Sequence, residues 1–449
     1  MLGLEDCIEL ALENNRRRPA SILALEIAEA QYMQAMSGFF PQVGLKATYQ
    51  ELNRDPVFVF PSENTVSRNT VLSGPGLGFG DTITLARVGE KTIKLADRRN
   101  TVVSFDLMYP LYTGGVRSAL LKQASSGIKA AKEEVRRTDL QVIYDVKRMY
   151  YGTVLARELY KIARDALSRL EVTLELTENL YKRGSGRVKK TDYLRNKTIV
   201  EALRSAVASL KSNKEVARSA LVNTMGLEWN TGIELSDTEI PYAPYDVDLA
   251  ALVSDSYMFN PDWAKLEAGL EAAEAKIKEE EGGFGPKVAF TGTLNYWANP
   301  YKYGMAAARN KETWTVGFAV EFPIFDGFLT ASKVREARAR LRKLKQEQIL
   351  LKEGLALQVK HLFLRMSSAQ EQYGFSLEAA KAAEENRELN VRAYQDGLVE
   401  TKDVIEAQIM ESFMQAQHQK ALYDHLEAKS NLDFVIGEEV SKILKSEKQ

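Results

Sequence analysis

A single cysteine, Cys7, stands in 449 residues, which excludes an intrachain disulfide and any thiolate pair for a metal. It falls in the helical pattern Leu4-Glu5-Asp6-Cys7-Ile8-Glu9-Leu10-Ala11-Leu12 and is expected to be a small buried apolar side chain. Histidines number three: His361, His418 and His425. The last two are seven apart, so they share a helix face but sit two turns apart, whereas a chelating pair prefers a spacing of four; no metal is expected. Apolar runs of 18 residues are absent, and with them any transmembrane helix. That does not exclude a membrane, because a β-barrel strand needs only ~10 alternating residues. Charge of either sign is not in excess, with 60 basic against 61 acidic residues, so nothing points to nucleic acid. Met1 leads into an acidic amphipathic stretch, so no secretory signal is expected within this numbering. The glycine-rich piece Ser73–Gly80 does not fit G-x-G-x-x-G and has no GK[ST] after it, which argues against a nucleotide. No catalytic constellation stands out: no enzyme and no cofactor is expected. The sequon at Asn196-Lys197-Thr198 lies in a helical pattern and carries no reading.

What the chain does contain is a repeat. Pro41-Gln42-Val43 returns as Pro286-Lys287-Val288, an offset of 245. Tyr109-Pro110-Leu111-Tyr112-Thr113-Gly114-Gly115 returns as Phe322-Pro323-Ile324-Phe325-Asp326-Gly327, an offset of 213. Gly186 and Asp192 return as Gly397 and Asp403, and Met225-Gly226 returns as Ile436-Gly437, each offset by 211. The offset falls by 32 between the first two pairs, so the first half carries about that many extra residues between Pro41 and Pro110. The expected division is a first repeat over 1–227, a linker over 228–249, a second repeat over 250–437 and a tail over 438–449.

Each half opens with a helical stretch, Glu5 to Met36 and Ala250 to Glu281, rich in Ala, Leu, Ile and Glu. Each then has two period-two segments, predicted as strands near 43–52, 101–109, 288–297 and 313–322. Their apolar faces hold Val43, Leu45, Ala47 and Tyr49; Val103, Phe105, Leu107 and Tyr109; Val288, Phe290, Leu294 and Tyr296; and Trp314, Val316, Phe318, Val320 and Phe322. The opposite faces are small and polar. The segment Asn53–Asn100 is rich in Pro, Gly, Ser and Asn and is expected to be a long, flexible or functional loop. A long helical pattern follows each strand pair. The apolar series from Ile128 to Tyr181 steps by three and four and predicts a coiled-coil-like helix of about 100 Å. Gly184-Ser185-Gly186 ends it, and a return helix is predicted from Thr191 to Thr224. The second half is predicted to run from Leu329 to about Tyr394, break at Gly397, and return from Thr401 to Val435.

Aromatic residues at both ends of the apolar strand faces resemble two girdles bounding a lipid-facing band. Tyr49, Tyr296 and Trp314 lie at the loop-side ends, and Tyr109 and Phe322 at the helix-side ends, with Phe105, Phe290 and Phe318 between them. Four strands cannot close a barrel, and lipid does not tolerate an open edge. Two chains would make eight strands, whose interior side chains fill; three would make twelve, wide enough for water. The competing reading is a soluble coiled-coil scaffold with small sheets.

The duplication, the Asn14-Asn15 and Asn260-Pro261 openings, Pro41-Gln42-Val43, Pro110-Leu111-Tyr112-Thr113-Gly114-Gly115, and Tyr394-Gln395-Asp396-Gly397 followed by Asp403-Val404-Ile405-Glu406-Ala407-Gln408 together resemble the TolC-like outer-membrane efflux proteins, over nearly the whole chain. The resemblance implies an internally duplicated α+β membrane protein, trimeric, with a twelve-stranded barrel in the outer membrane of a Gram-negative bacterium and an α-helical barrel in the periplasm. It implies a passive channel served by a periplasmic adaptor and an inner-membrane transporter, in contact with outer-membrane lipid.

By the same resemblance the hairpin tips form a periplasmic aperture. Transferred by motif position, Tyr394 precedes the Gly397 turn, and Asp403 and Glu406 follow it. Asp192 is the first-half counterpart of Asp403, and Arg195 stands where Glu406 does. Residues three apart share a helix face, so Asp403 and Glu406 can point together into a lumen, where three-fold symmetry would make rings; acids that merely suit a helix start are the plainer alternative. The family's Val-Gly-Leu tip survives only as Gly397-Leu398. The first-half tip reads Arg183-Gly184-Ser185-Gly186-Arg187-Val188-Lys189-Lys190, longer and strongly basic. Its basic residues, with Gly184, Gly186, Gly397 and Leu398, are the expected adaptor contacts, facing an adaptor tip that is acidic or polar.

Overall fold

The protein was analysed as a computed structural model. The structure describes residues 1–73, 78–184, 188–244 and 248–437, with backbone alone in 66–73, 78–85 and at Ala306. The expected tail over 438–449 therefore lies outside the described residues. The elements run α1 (Leu4–Asn14), α2 (Arg17–Ser37), β1 (Gln42–Glu51), β2 (Val57–Phe60), β3 (Glu63–Ser73), β4 (Gly78–Val88), β5 (Lys91–Lys94), β6 (Arg99–Thr113), α3 (Val116–Lys182) and α4 (Lys190–Thr224). They continue with α5 (Leu249–Phe259), α6 (Pro261–Glu281), β7 (Lys287–Ala298), β8 (Glu312–Glu321), α7 (Leu329–Gln395) and α8 (Thr401–Ile436). Helices α3 and α7 have 67 residues each, and α4 and α8 have 35 and 36.

Two compact units divide these elements: Met1–Tyr32, Lys122–Glu274 and Arg338–Gln449 form one, and Met33–Leu121 with Ala275–Ala337 form the other. The first is helical. One of its cores joins Cys7 and Ala11 of α1 to Val142, Val146, Tyr150 and Val154 of α3, to Leu221 and Val222 of α4 and to Met225 just after it. A second joins Leu252 of α5 to Val359, Leu362 and Met366 of α7 and to Leu432, Val435 and Ile436 of α8. Cys7 is fully buried, and that burial, with the charges of Asp6 and Asp237 behind it, pushes its thiol up to about 11. A low-dielectric surrounding disfavours the thiolate, so Cys7 packs as a small apolar side chain.

Each helical stretch expected as one piece is two. The breaks fall at Asn15 and Asn260, both of extended backbone. Asn15 donates its side-chain amide to the carbonyl of Thr224 at 2.8 Å, and Asn260 donates to that of Val435 at 2.8 Å. Both carbonyls belong to helix ends whose own acceptors would otherwise lack partners. The glycines that follow lock the same junctions. Gly226 (φ 73) and Gly437 (φ 82) are left-handed, and a Cβ on them would stand 2.3 Å from the Asn14 carbonyl oxygen and 2.4 Å from that of Phe259. Only glycine admits both the conformation and the approach.

The other unit holds a four-stranded antiparallel sheet, ordered β1-β6-β7-β8. Its strands lie close to the expected ranges, except that β6 runs further, through a bulge between Pro110 and Tyr112. The segment 53–100 corrects the sequence expectation. It is not an irregular loop but two further antiparallel pairs, β2 with β5 and β3 with β4. The β-branched and aromatic run Val57-Phe58-Val59-Phe60 and the Thr and Val of Glu63–Ser73 suit strands, while the Pro and Gly that suggested a loop lie mainly between them. Residues 74–77 of the glycine-rich piece lie outside the described residues. At the junction of β6 with α3, Gly114 (φ 64) is pressed against Gly282, whose carbonyl oxygen would be 2.4 Å from an added Cβ.

Gly437→Ala should therefore lower the thermal midpoint of the helical circular dichroism signal, costing about 2 kcal/mol or more from the left-handed backbone and the clash. Gly354→Ala is the control: it lies in α7 with open space around it, and should leave the midpoint equal or raise it by about 0.5–1 kcal/mol of stability.

Candidate functional site

The sheet presents one continuous apolar face, because cross-strand partners share a face and the registers align every apolar set. One row reads Leu45, Phe105, Leu294, Trp314; the next reads Val43, Leu107, Gly292, Val316; a third reads Tyr109, Phe290, Phe318. Tyr49 and Tyr296 lie on this same face toward the loop side. These side chains are not covered within the chain: Leu45 is 71% exposed, Trp314 72% and Phe318 70%. Phe290 and Phe318 meet edge to face at 5.5 Å between centroids. Phe322 is placed differently from expectation, one residue beyond β8, because β7 begins at Lys287 opposite Glu321 and offers it no partner. The opposite face carries Gly44, Asp106, Thr293 and Thr315 in one row and Lys46, Ser104, Asn295 and Thr313 in another. Ser104 donates its hydroxyl to the side-chain oxygen of Asn295 at 2.7 Å. Val102 and Trp297 make one end of this face apolar. β1 and β8 are the two edges, each with one ladder.

At the tips, glycine geometry ends the long helices. Gly184 (φ 66) donates its N–H to the Tyr181 carbonyl at 3.0 Å. Gly397 (φ 75) donates to Tyr394 at 3.1 Å, and Leu398 reaches back to Ala393 at 2.8 Å. This is the left-handed ending that satisfies the last carbonyls of a helix. Gly186 and Arg187 lie outside the described residues. Arg183, Lys189, Lys190 and Leu398 are exposed. Tyr181 stacks on Tyr193 at 5.9 Å across the first hairpin.

Asp192 and Asp403 have a defined local task. Asp192 accepts the backbone N–H of Lys189 at 3.0 Å, and Asp403 accepts that of Glu400 at 2.9 Å. Each is three residues into its helix, where a carboxylate satisfies an unpaired donor and complements the dipole. Glu406 and Arg195 are exposed, and the Thr401 hydroxyl donates to the Tyr394 hydroxyl at 3.3 Å. Among the described residues the five candidate aperture groups make no ion pair with one another. The second tip is predominantly acidic. Lys402 sits 3.3 Å from Glu400, and the bond to that carboxylate, with Asp403 and Glu406 adding, holds its ammonium above the usual lysine range.

One group was missed. Glu411 of α8 is buried between Arg169 of α3 and Arg387 of α7, at 3.1 Å and 3.2 Å. It belongs to the buried series Val404, Ala407, Gln408, Glu411 at helical spacing. A glutamate in a mostly apolar stripe was the available signal. Arg169 and Arg387 keep side-chain exposures of 35% and 21%, so the guanidinium groups stay partly hydrated while the carboxylate does not. His425 is also buried, its Nε2 3.0 Å from the Ala243 carbonyl, and His418 Nδ1 is 3.1 Å from the Ser376 hydroxyl. Both of these histidines thus make a hydrogen bond to the chain.

An exposed apolar sheet face on a chain with paired long helical hairpins defines a class, that of outer-membrane channel proteins. The Campylobacter jejuni CmeC outer membrane channel shares the fold, with a TM-score of 0.76 at 16% identity, over 99% of this chain and 89% of that one. The family model described as outer membrane efflux protein matches residues 7–227 and 252–438, and the chain belongs to this family. Among curated relatives, protein CyaE of Bordetella pertussis is 25% identical over 262 residues, and the toluene efflux pump outer membrane protein TtgC of Pseudomonas putida is 24% identical over 339. These matches cover 58% and 74% of this chain, and the chain spans 53% and 61% of the relatives' own lengths.

Glu411→Gln should lower stability by about 1–3 kcal/mol, since two arginines are left facing each other, less than a fully buried pair would cost because both remain partly hydrated. The triple replacement Arg169→Met, Arg387→Met, Glu411→Leu should recover most of that loss. Thermal unfolding in detergent checks both.

Proposed function

We propose that three copies of this chain share one twelve-stranded barrel in the outer membrane and conduct substrates passively, with their helical hairpins lining a periplasmic tunnel. The observation that carries this reading is the sheet with a continuous apolar face and two free edges. Each edge strand has ten residues, so roughly five N–H and five C=O groups point outward from each edge. In hydrocarbon an unpaired group costs several kcal/mol, so a lone sheet would be opposed by tens of kcal/mol. Closure among copies removes that cost. With strands ~4.8 Å apart and tilted ~40°, twelve strands give a backbone diameter of about 24 Å and eight about 16 Å. Only the larger leaves an aqueous path inside side chains as small as Thr315, Gly44 and Ser104.

Membership of the outer membrane efflux protein family supports the location, and the relatives' names, an efflux pump component among them, support transport as the task. An inner-membrane transporter would select the cargo, and a periplasmic adaptor would dock on the hairpin tips. Tyr394, Asp403, Glu406, Asp192 and Arg195 would line the aperture. Because Asp192 and Asp403 are engaged at helix starts, Glu406 and Arg195 are the freer charges for contacts between copies.

Size exclusion with light scattering in mild detergent should give a protein mass near three times 50.4 kDa, with solubility lost on detergent removal. A monomer that stays soluble would instead support the scaffold reading. The exposed Lys189 and Lys190 carry the second prediction. Charge reversal there, with Arg187, should weaken adaptor binding at least tenfold in titrations of the purified components; unchanged affinity would remove the basic tip from the docking surface.

A further inference from the structure

The repeat also dictates how one copy meets the next. Two offsets relate the strands of the two halves: 245 carries β1 onto β7, and 213 carries β6 onto β8. They hold inside the sheet, pair for pair. Leu45 opposite Phe105 becomes Phe290 opposite Phe318, and both pairs are observed. Gln42 opposite Met108 becomes Lys287 opposite Glu321, and Glu51 opposite Arg99 becomes Tyr296 opposite Glu312; all four pairs are observed. The β1·β6 and β7·β8 ladders are therefore one register used twice. The remaining ladder, β6·β7, joins the first half to the second, and its repeat image joins β8 to the β1 of another copy.

We propose that the barrel closes by antiparallel pairing of β8 with β1 of a second copy in the register copied from β6·β7. This rests on the shared-barrel reading above. Leu107 opposite Gly292 then becomes Val320 opposite Ala47 of the partner subunit, and Phe105 opposite Leu294 becomes Phe318 opposite the partner's Tyr49. Met108 opposite Thr291 becomes Glu321 opposite the partner's Lys46. Every pair joins like faces.

Three features of the chain agree with this register. A slip of one residue would turn the apolar face inward. A slip of two keeps the faces but separates the opposite charges, setting Glu321 against the partner's Gly44 or Thr48. The copied register alone sets Glu321 against the partner's Lys46, with Lys287 of its own β7 on the other side. Strand lengths agree as well. β6 runs to Thr113 because residues past the end of β1 are held by β7. Their counterparts, Phe322–Asp326, lie past the end of β7 and are not in a strand; Ile324 is 92% exposed and Phe325 74%. In the seam they are held by residues Gln42–Leu45 of the second copy. Finally, Gly327 (φ 67) repeats the left-handed bend of Gly114, with open space in place of Gly114's close neighbour.

Cysteine pairs test the register in the full chain with Cys7→Ala, purified in detergent. A47C/V320C and T48C/A319C should form disulfides between copies on mild oxidation, since directly opposite residues lie within disulfide reach in either class of antiparallel pair. The slipped pairs A47C/F318C and A47C/F322C should react about tenfold more slowly, their Cα atoms lying near or beyond the disulfide limit. Faster linking of a slipped pair overturns the register. A trimeric protein in which no pair links overturns the copied register while leaving the shared barrel standing. A monomer by mass with free thiols rejects the shared barrel itself. Charge exchange tests the ion pair: K46E and E321K should each lower the trimer's thermal midpoint, and K46E/E321K should recover part of the loss. No recovery overturns the pairing of Glu321 with the partner's Lys46.

Discussion

A peptide group in hydrocarbon has no water to bond, and a strand at the edge of a sheet offers a whole row of such groups. In this chain the two edges are β1 and β8, and the face they bound is apolar from Tyr49 to Phe318. A sheet of that composition is not stable as an isolated body in water or in lipid: water penalises the face, and lipid penalises the edges. In the shared barrel proposed above, association would pair those edges and so offset both penalties.

The helical unit solves a different problem, that of joining long rods without losing their register. The junctions at Asn15 and Asn260 use an asparagine amide to close a helix end that arrives from 209 and 175 residues away. A left-handed glycine then lets two backbones come into contact. The pair Met225-Gly226 and Ile436-Gly437 is thus explained by geometry rather than by resemblance. Helix starts at the tips use the same economy of means, an aspartate three residues in, so the acids there are first of all structural. Among the described residues Glu411 is the one buried carboxylate. Its two arginines come from different long helices, so it ties α3, α7 and α8 together at one level.

Much of this could be read in the residues. Period-two alternation located the four strands of the main sheet to within a few residues, because one face is apolar throughout. The three-and-four stepping from Ile128 to Tyr181 located α3, since a rod with no breaks leaves no ambiguity. Glycine and proline misled in the segment 53–100, where they punctuate strands rather than replace them. The breaks at Asn15 and Asn260 were visible as motifs, but the tertiary bonds that cause them were not. Asp192 and Asp403 were noticed for their charge, whereas their hydrogen bonds depend on where the helix starts. Glu411 escaped because a single acid in a long apolar series looks like tolerance until its partners, 242 and 24 residues distant in sequence, are in place.

The matched lengths of the two hairpins restrict how such a chain can change. An added heptad in α3 alone would displace its tip by about 10 Å from that of α7, so growth of the rods must occur in both halves at once and in whole turns. The hairpin strands β2 to β5 face no such bookkeeping. They add length beyond the β1–β6 pair rather than within a long helix, and that is where the first half holds its surplus residues.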